Sequence, residues 1–304
     1  MTGIGDSLAN VGFGLGWSAV RRMPERTAYA TFERIADTMW ARRGASVQRL
    51  ESNLRRVVGP ELSQDELRVL SRAGMRTYFR YWCEAFRLPG WSRERIVSSI
   101  RIVDGHVLSD ALAEERGVVI ALPHMGNWDH AGAWATLAHR PVVTVAERLK
   151  PEDLYEKFLE FRRGLGMDVI PLTGGDPPFP YLADSLRGGA RVALLGDRDL
   201  GNSGVPVQFF GSKAKFPAGP AALAVDTGAA LIAATLYVED GLNHVRFHPR
   251  IELPTEGERS RRIFRATQLV ADAFEVGIAD RPADWHMLQR LWVADLDPAK
   301  APRT

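Results

Sequence analysis

Two textures of apolar and polar residues divide the chain near residue 98. Over 25–97 the apolar positions recur at helical spacing, in ERTAYATFERIADTMWARR, SVQRLESNLRRVV and DELRVLSRAGMRTYFRYWCEAF. Ser63 and Asp65 offer an N-cap and a first-turn acid for the last of these helices, and Leu88-Pro89-Gly90 closes it. Beyond residue 98, short apolar runs alternate with amphipathic stretches. The runs are SIRIVD, GVVIALP, PVVTVAE, MDVIPL, RVALLGD and ALIAATLYV; the stretches lie at 107–115, 129–138, 151–164, 178–188 and 217–227. This alternation predicts an α/β fold with a central, mostly parallel β-sheet flanked by helices. NHVRFHPRIEL alternates and should pair antiparallel with ALIAATLYV through the turn EDGLN, before a long helix over RSRRIFRATQLVADAFEVGIAD. An N-terminal helical region (1–97) thus precedes an α/β core (98–304), and the two read as one integrated domain.

In open α/β sheets, chemistry gathers at the carboxyl ends of the strands. Three polar groups fall there: His124 and Asp129 after VVIAL, Glu147-Arg148 after PVVTVA, and Asp197-Arg198-Asp199 after RVALLG. His124 and Asp129 stand five residues apart, which on a regular helix would leave their side chains roughly 140° apart. They meet only if the backbone between them turns irregularly, as Pro123 and Gly126 allow. Asp129 could then accept the proton on one imidazole nitrogen and leave the other as a base. The plainer reading makes Asp129 a first-turn acid favoured by the helix dipole. Convergence of three polar groups on one sheet edge favours a site.

Composition narrows the setting. A chain of 304 residues, 45% hydrophobic, can bury a large core, and a net charge of +2 gives no case for nucleic-acid binding. Arginine pairs at 21–22, 42–43, 55–56 and 261–262, often near aromatics, suit an anionic membrane surface, although any one pair also reads as a solvated helix face. Cys83, the single cysteine, excludes an internal disulfide and reads as a buried, inert thiol. No zinc-ligand spacing is present. Residues 7–20 are apolar but short, contain three glycines and lack a basic flank before them. They are expected to lie on a membrane or pack on the protein, not to span or be cleaved.

The order HMGNWD, then ER before a helix with FRRGLG, then GDRD, then FFGSKAKFPAGPAALAVDTGA, resembles the lipid A lauroyltransferase-like acyltransferases. SVQRLESNLRRV and PADWHMLQRLW also fit, so the resemblance covers most of the chain, and it is greatest to the actinobacterial branch. It implies a glycerolipid-acyltransferase-like fold without a cofactor, with acyl-CoA as co-substrate. A long acyl chain, typically palmitoyl, would pass to the 6-hydroxyl of the mannose on position 2 of inositol in a phosphatidylinositol mannoside. It would do so at the cytoplasmic face of the plasma membrane. His124 matches the family's base and Asp129 its orienting carboxylate. Glu147 and Arg162, with Arg163 adjacent, fall where sugar and head-group phosphate would be contacted. In the segment Asp197–Asp199, Arg198 replaces a common glutamine, a departure that suits a different acceptor.

The residues accommodate that chemistry. A sugar hydroxyl needs a base to take its proton as it attacks a thioester, and no serine or cysteine nucleophile is required. The oxyanion needs donors, for which backbone amides near Gly126, Arg162 and Arg198 are candidates. Phe209, Phe210 and the small residues from Pro217 to Ala224 suit either an acyl groove or tight helix-on-sheet packing. Lys213 and Lys215 could meet CoA phosphates or sit in a solvated loop. His130 should face away from Asp129, and His286 reads as structural. Two other functions share these features: a lipid A type transferase fed by acyl carrier protein, and a non-catalytic lipid-binding protein.

Overall fold

The computed structural model describes residues 19–138, 141–147, 152–199 and 204–296. Residues 7–18 of the apolar N-terminal stretch, and Arg148, therefore lie outside the described residues. The expected helical region comprises α1 (Glu25–Ala41), α2 (Ala45–Val58) and α3 (Gln64–Arg87), followed by the short α4 (Arg93–Ser98). Ser63 begins α3 as expected, with Glu66 completing a capping box: each side chain accepts the other residue's backbone N–H. Ala36, Leu50, Leu54 and Met75 form the core between these helices.

The sheet region runs β1 (Ile100–Val103), α5 (His106–Ala113), β2 (Val118–Leu122), α6 (Trp128–Ala138), β3 (Val142–Ala146), α7 (Glu152–Gly164), β4 (Asp168–Pro171), α8 (Pro178–Arg187) and β5 (Arg191–Leu195). It continues through β6 (Val205–Phe209), β7 (Ser212–Phe216), α9 (Gly219–Thr227), β8 (Ala230–Glu239), β9 (Leu242–Phe247) and α10 (Arg259–Asp280). Seven strands form one sheet in the order β1-β9-β8-β2-β5-β3-β4. Every neighbouring pair is parallel except β8–β9, the expected antiparallel hairpin. Asp240 and Gly241 turn it with φ of +50° and +77°, the positive values that a tight hairpin turn requires.

The short central strands are apolar throughout because both their faces are covered. Val119 and Ala121 face a core with Leu186, Leu223 and Phe274 from α8, α9 and α10. Val118 and Ile120 face the opposite core with Leu108 and Ile232. A second, two-stranded sheet, β6–β7, was not among the expected strands. The chain after α10 returns across the helical region. There Asn53 of α2 donates to the carbonyls of Met287 and Gln289 (2.8 and 2.9 Å) and accepts from Trp292 Nε1 at 2.9 Å. Cys83 is buried and unpaired, its thiol pushed up to about 12 by burial and then by the Glu84 charge.

Candidate active site

Strand register brings the first two site residues together. β2 and β5 are parallel neighbours with Leu122 opposite Leu195, and Gly196 N–H donates to Leu122 O at 2.8 Å. His124 and Asp197 each stand two residues beyond that pair. Asp197 is fully buried and accepts three hydrogen bonds: His124 Nδ1 at 2.5 Å, His124 N–H at 2.9 Å and Trp285 Nε1–H at 2.9 Å. Burial pushes this carboxyl up, but the His124 charge and the hydrogen bonds outweigh it and hold it below its ordinary value. An anionic Asp197 makes Nδ1 the donor, so a neutral His124 presents Nε2 with its lone pair free. No described residue bonds to Nε2.

The carboxylate on the imidazole is therefore Asp197, where the sequence suggested Asp129. The backbone does turn irregularly at Gly126, with φ +58°. The turn sends the Asp129 side chain elsewhere, into the interior from the first turn of α6. There it accepts Arg162 Nε–H at 2.7 Å and Tyr81 O–H at 2.8 Å, with its side chain 1% exposed. Burial pulls the Arg162 guanidinium down in pKa, yet the Asp129 charge more than offsets this and keeps it a cation. Burial and the same charge raise the Tyr81 hydroxyl well above its ordinary value, so it stays a donor. Arg163, the alternative to Arg162, instead donates to Val169 O on β4 at 3.3 Å.

An apolar cavity opens beside these groups, between the sheet and α6. His124, Asp129, Glu147, Arg162 and Arg198 line its polar end, which is the end where β2, β3 and β5 finish. Ile120, Ala193, Gly132 and Ala135 line its walls, and Leu108, Val245 and Phe247 contribute from α5 and β9. Arg198 pairs with Glu147 Oε2 at 3.2 Å and with Gln289 Oε1, while its Nε is buried without a partner among the described residues.

The other expected site residues take different places. Asp199 accepts Gly204 N–H at 2.9 Å and does not line the cavity. Phe209 is fully buried, stacked on Trp292 with centroids 5.5 Å apart, and Phe210 packs at its edge. Both belong to the core on the opposite face of the sheet from α6. The block after Phe209 thus packs helix on sheet and leaves the cavity to the other face. Gly126 N–H is engaged by Asp284 O at 3.0 Å, and an added Cβ would meet the Leu236 backbone at 2.7 Å. His130 is buried, with Nε2 on Ile96 O at 2.9 Å. His286 donates its backbone N–H to His124 O at 2.7 Å. Its ring packs against Tyr78, Tyr81 and Trp128, pushed down to about 3 by burial and so neutral. Two site residues were not anticipated: Tyr81 lay in a run that reads as helix packing, and Trp285 in a segment that reads as structural.

The chain belongs to the bacterial lipid A biosynthesis acyltransferase family, whose model matches residues 9–294, and it is an acyltransferase. Its relatives include proteins named phosphatidylinositol mannoside acyltransferase. That of Mycolicibacterium smegmatis is 44% identical over 303 residues, covering 99% of this chain and 96% of the relative. Those of two Mycobacterium tuberculosis strains are each 43% identical over 296 residues, covering 95% of this chain and 90% of the relative.

Proposed function

We propose that the protein moves a long fatty acyl chain, palmitoyl in the first instance, from acyl-CoA to a phosphatidylinositol mannoside. The acceptor atom is the 6-hydroxyl of the mannose on position 2 of inositol. One observation carries the chemistry: His124 lines the polar end of an apolar cavity while Asp197 holds its Nδ1. The names of the relatives support the acceptor.

In this reading the acyl chain lies in the cavity and the thioester carbonyl sits beside His124. Nε2 takes the hydroxyl proton as the sugar oxygen attacks the carbonyl carbon. Asp197 steadies the imidazolium that forms. The C–S bond then breaks, and the imidazolium proton passes to the departing thiolate as free CoA. The backbone N–H groups of His124, Met125 and Gly126 are already engaged by Asp197 Oδ2, Pro123 O and Asp284 O. Arg198, which lines the polar end of the cavity and whose Nε has no partner among the described residues, is then the favoured donor to the oxyanion. Glu147, paired to Arg198, contacts the sugar, and the Asp129–Arg162 pair shapes the wall beside it.

The enzyme works as a peripheral protein on the anionic cytoplasmic face of the plasma membrane. One observation supports the membrane contact: α1 exposes Ile35 and Met39 beside Arg34 and Arg42. A transfer assay with radiolabelled acyl-CoA tests the reading, with lipid A precursor and acyl carrier protein thioester run in parallel. Label in the mannoside is expected. Label only in lipid A, only from the carrier protein, or only in free fatty acid would overturn the acceptor or the donor.

A further inference from the structure

The turn between His124 and Asp129 is gripped from outside the sheet, by α3. Tyr81 and Glu84 are three residues apart, so they share a face of that helix. Tyr81 O–H reaches Asp129 Oδ2 at 2.8 Å, and Glu84 Oε2 accepts Asn127 Nδ2–H at 2.8 Å. Asn127 in turn accepts His130 N–H at its Oδ1, 2.9 Å away, which caps the first turn of α6. An amide side chain can face either way round. The Glu84 carboxylate, which only accepts, settles which end of Asn127 points at the helix.

Glu84 is buried, with 1% of its side chain exposed, and all its partners donate to it. Oε1 accepts from Arg80 Nε and Tyr29 O–H (2.7 and 3.1 Å), and Oε2 from Asn243 Nδ2 at 2.9 Å as well as Asn127. Burial pushes this carboxyl up, but Arg80 and the two asparagines hold it below its ordinary value, so it remains an anion. A buried carboxylate satisfied on both oxygens is costly to desolvate. Here it ties α1, α3 and β9 to the turn that carries the site.

We propose that Glu84 is a positioning residue for acyl transfer: through Asn127 it fixes the start of α6, and with it the direction of the Asp129 carboxylate toward Arg162. The N-terminal helical region thereby belongs to the active site as well as to any membrane surface. This inference rests on the acyl-transfer reading of the site.

An exchange of roles tests it. Glu84→Gln keeps one acceptor oxygen, which the Arg80 cation holds, so its NH2 is turned on Asn127 and Asn243, and Asn127 answers by turning its own amide away from the helix cap. In Glu84→Gln/Asn127→Asp the carboxylate introduced on the turn accepts from the new α3 amide with one oxygen and from His130 N–H with the other. The cap is restored with the charge moved across the bond. The single variant should lose about tenfold or more in kcat with the KM for acyl-CoA little changed, and the double variant should recover to within about threefold. Hydrogen exchange at the His130 amide, read by NMR without substrate, should accelerate in the single variant and slow again in the double. A single variant with normal kcat and exchange would overturn the proposal, as would a double variant no better than the single. Should wild type fail to acylate any mannoside, the functional reading falls, and the exchange measurement still decides whether Glu84 sets the cap.

Discussion

Asp197 Oδ1 lies 2.5 Å from His124 Nδ1, and both residues follow by two positions a register pair, Leu122 and Leu195, of adjacent parallel strands. The pairing is thus a product of strand register. Residues equally far past a pair in parallel strands leave the sheet side by side, about 4.8 Å apart. Trp285 completes the arrangement from the C-terminal chain.

Trp285→Phe keeps the buried ring but removes one of the three donors to a fully buried carboxylate. Unfolding in urea should show a loss of about 1–3 kcal/mol. By the same loss of restraint, kcat should fall by about tenfold, because only the two bonds from His124 then hold the Asp197 carboxylate. Normal kcat would mean that His124 alone fixes the carboxylate.

Arg162→Gln removes the cation paired with Asp129 and leaves the Tyr81 hydroxyl to hold an interior carboxylate. A buried charge stripped of its partner costs about 3–5 kcal/mol. Thermal or urea unfolding should register a loss of that order, and transfer should fall with it. A loss within experimental error would show that Asp129 takes up a proton instead.

Phe209→Ala separates packing from substrate binding. Phe209 contacts Phe216, Trp285 and Trp292 in the core away from α6. Its truncation should cost about 3–5 kcal/mol while acyl-chain preference among acyl-CoAs of different length stays unchanged. A shift toward longer or shorter chains would return the residue to the acyl site.

Asp284 gives the fold a pH dependence of known sign. Burial pushes its carboxyl up to about 7 against the opposing bond from Val238 N–H and the charges of Arg281 and Arg80. The unfolded carboxyl titrates near about 4, so the folded chain holds this proton more tightly. Its stabilising contribution is full below about pH 4 and is lost as the pH rises through about 7. Asp284→Asn abolishes that loss. The Tm of wild type relative to the variant should therefore decline between about pH 4 and about pH 7. A difference independent of pH would contradict this.

The sheet was legible because central parallel strands must be apolar on both faces, and runs such as VVIAL and RVALL have no other simple reading. The β8–β9 turn was legible too, since Asp240-Gly241 is a pair that accepts positive φ. The β6–β7 turn was not: Phe210 holds φ +45° beside Gly211 at +68°, and a phenylalanine gives no warning of that conformation. At the site, the sequence brought His124, Asp197, Glu147 and Arg198 to one edge but joined His124 to its near neighbour in the chain. Asp129 and Asp197 are both carboxylates at helix or strand ends. Only the β2–β5 adjacency and the depth of α7 decide between them. Tyr81 and Glu84 carry no local signature, because their partners at the turn, Asp129 and Asn127, lie 48 and 43 residues away in the chain.

Asp197 orients His124, and the Nδ1 proton of His124 reports on that pairing directly. Proton and nitrogen NMR of the wild type should show a strongly deshielded Nδ1–H. Asp197→Asn should abolish that resonance together with acyl transfer, and Asp129→Asn should leave the resonance in place. A resonance that survives Asp197→Asn and vanishes in Asp129→Asn would contradict this and return the orienting role to Asp129.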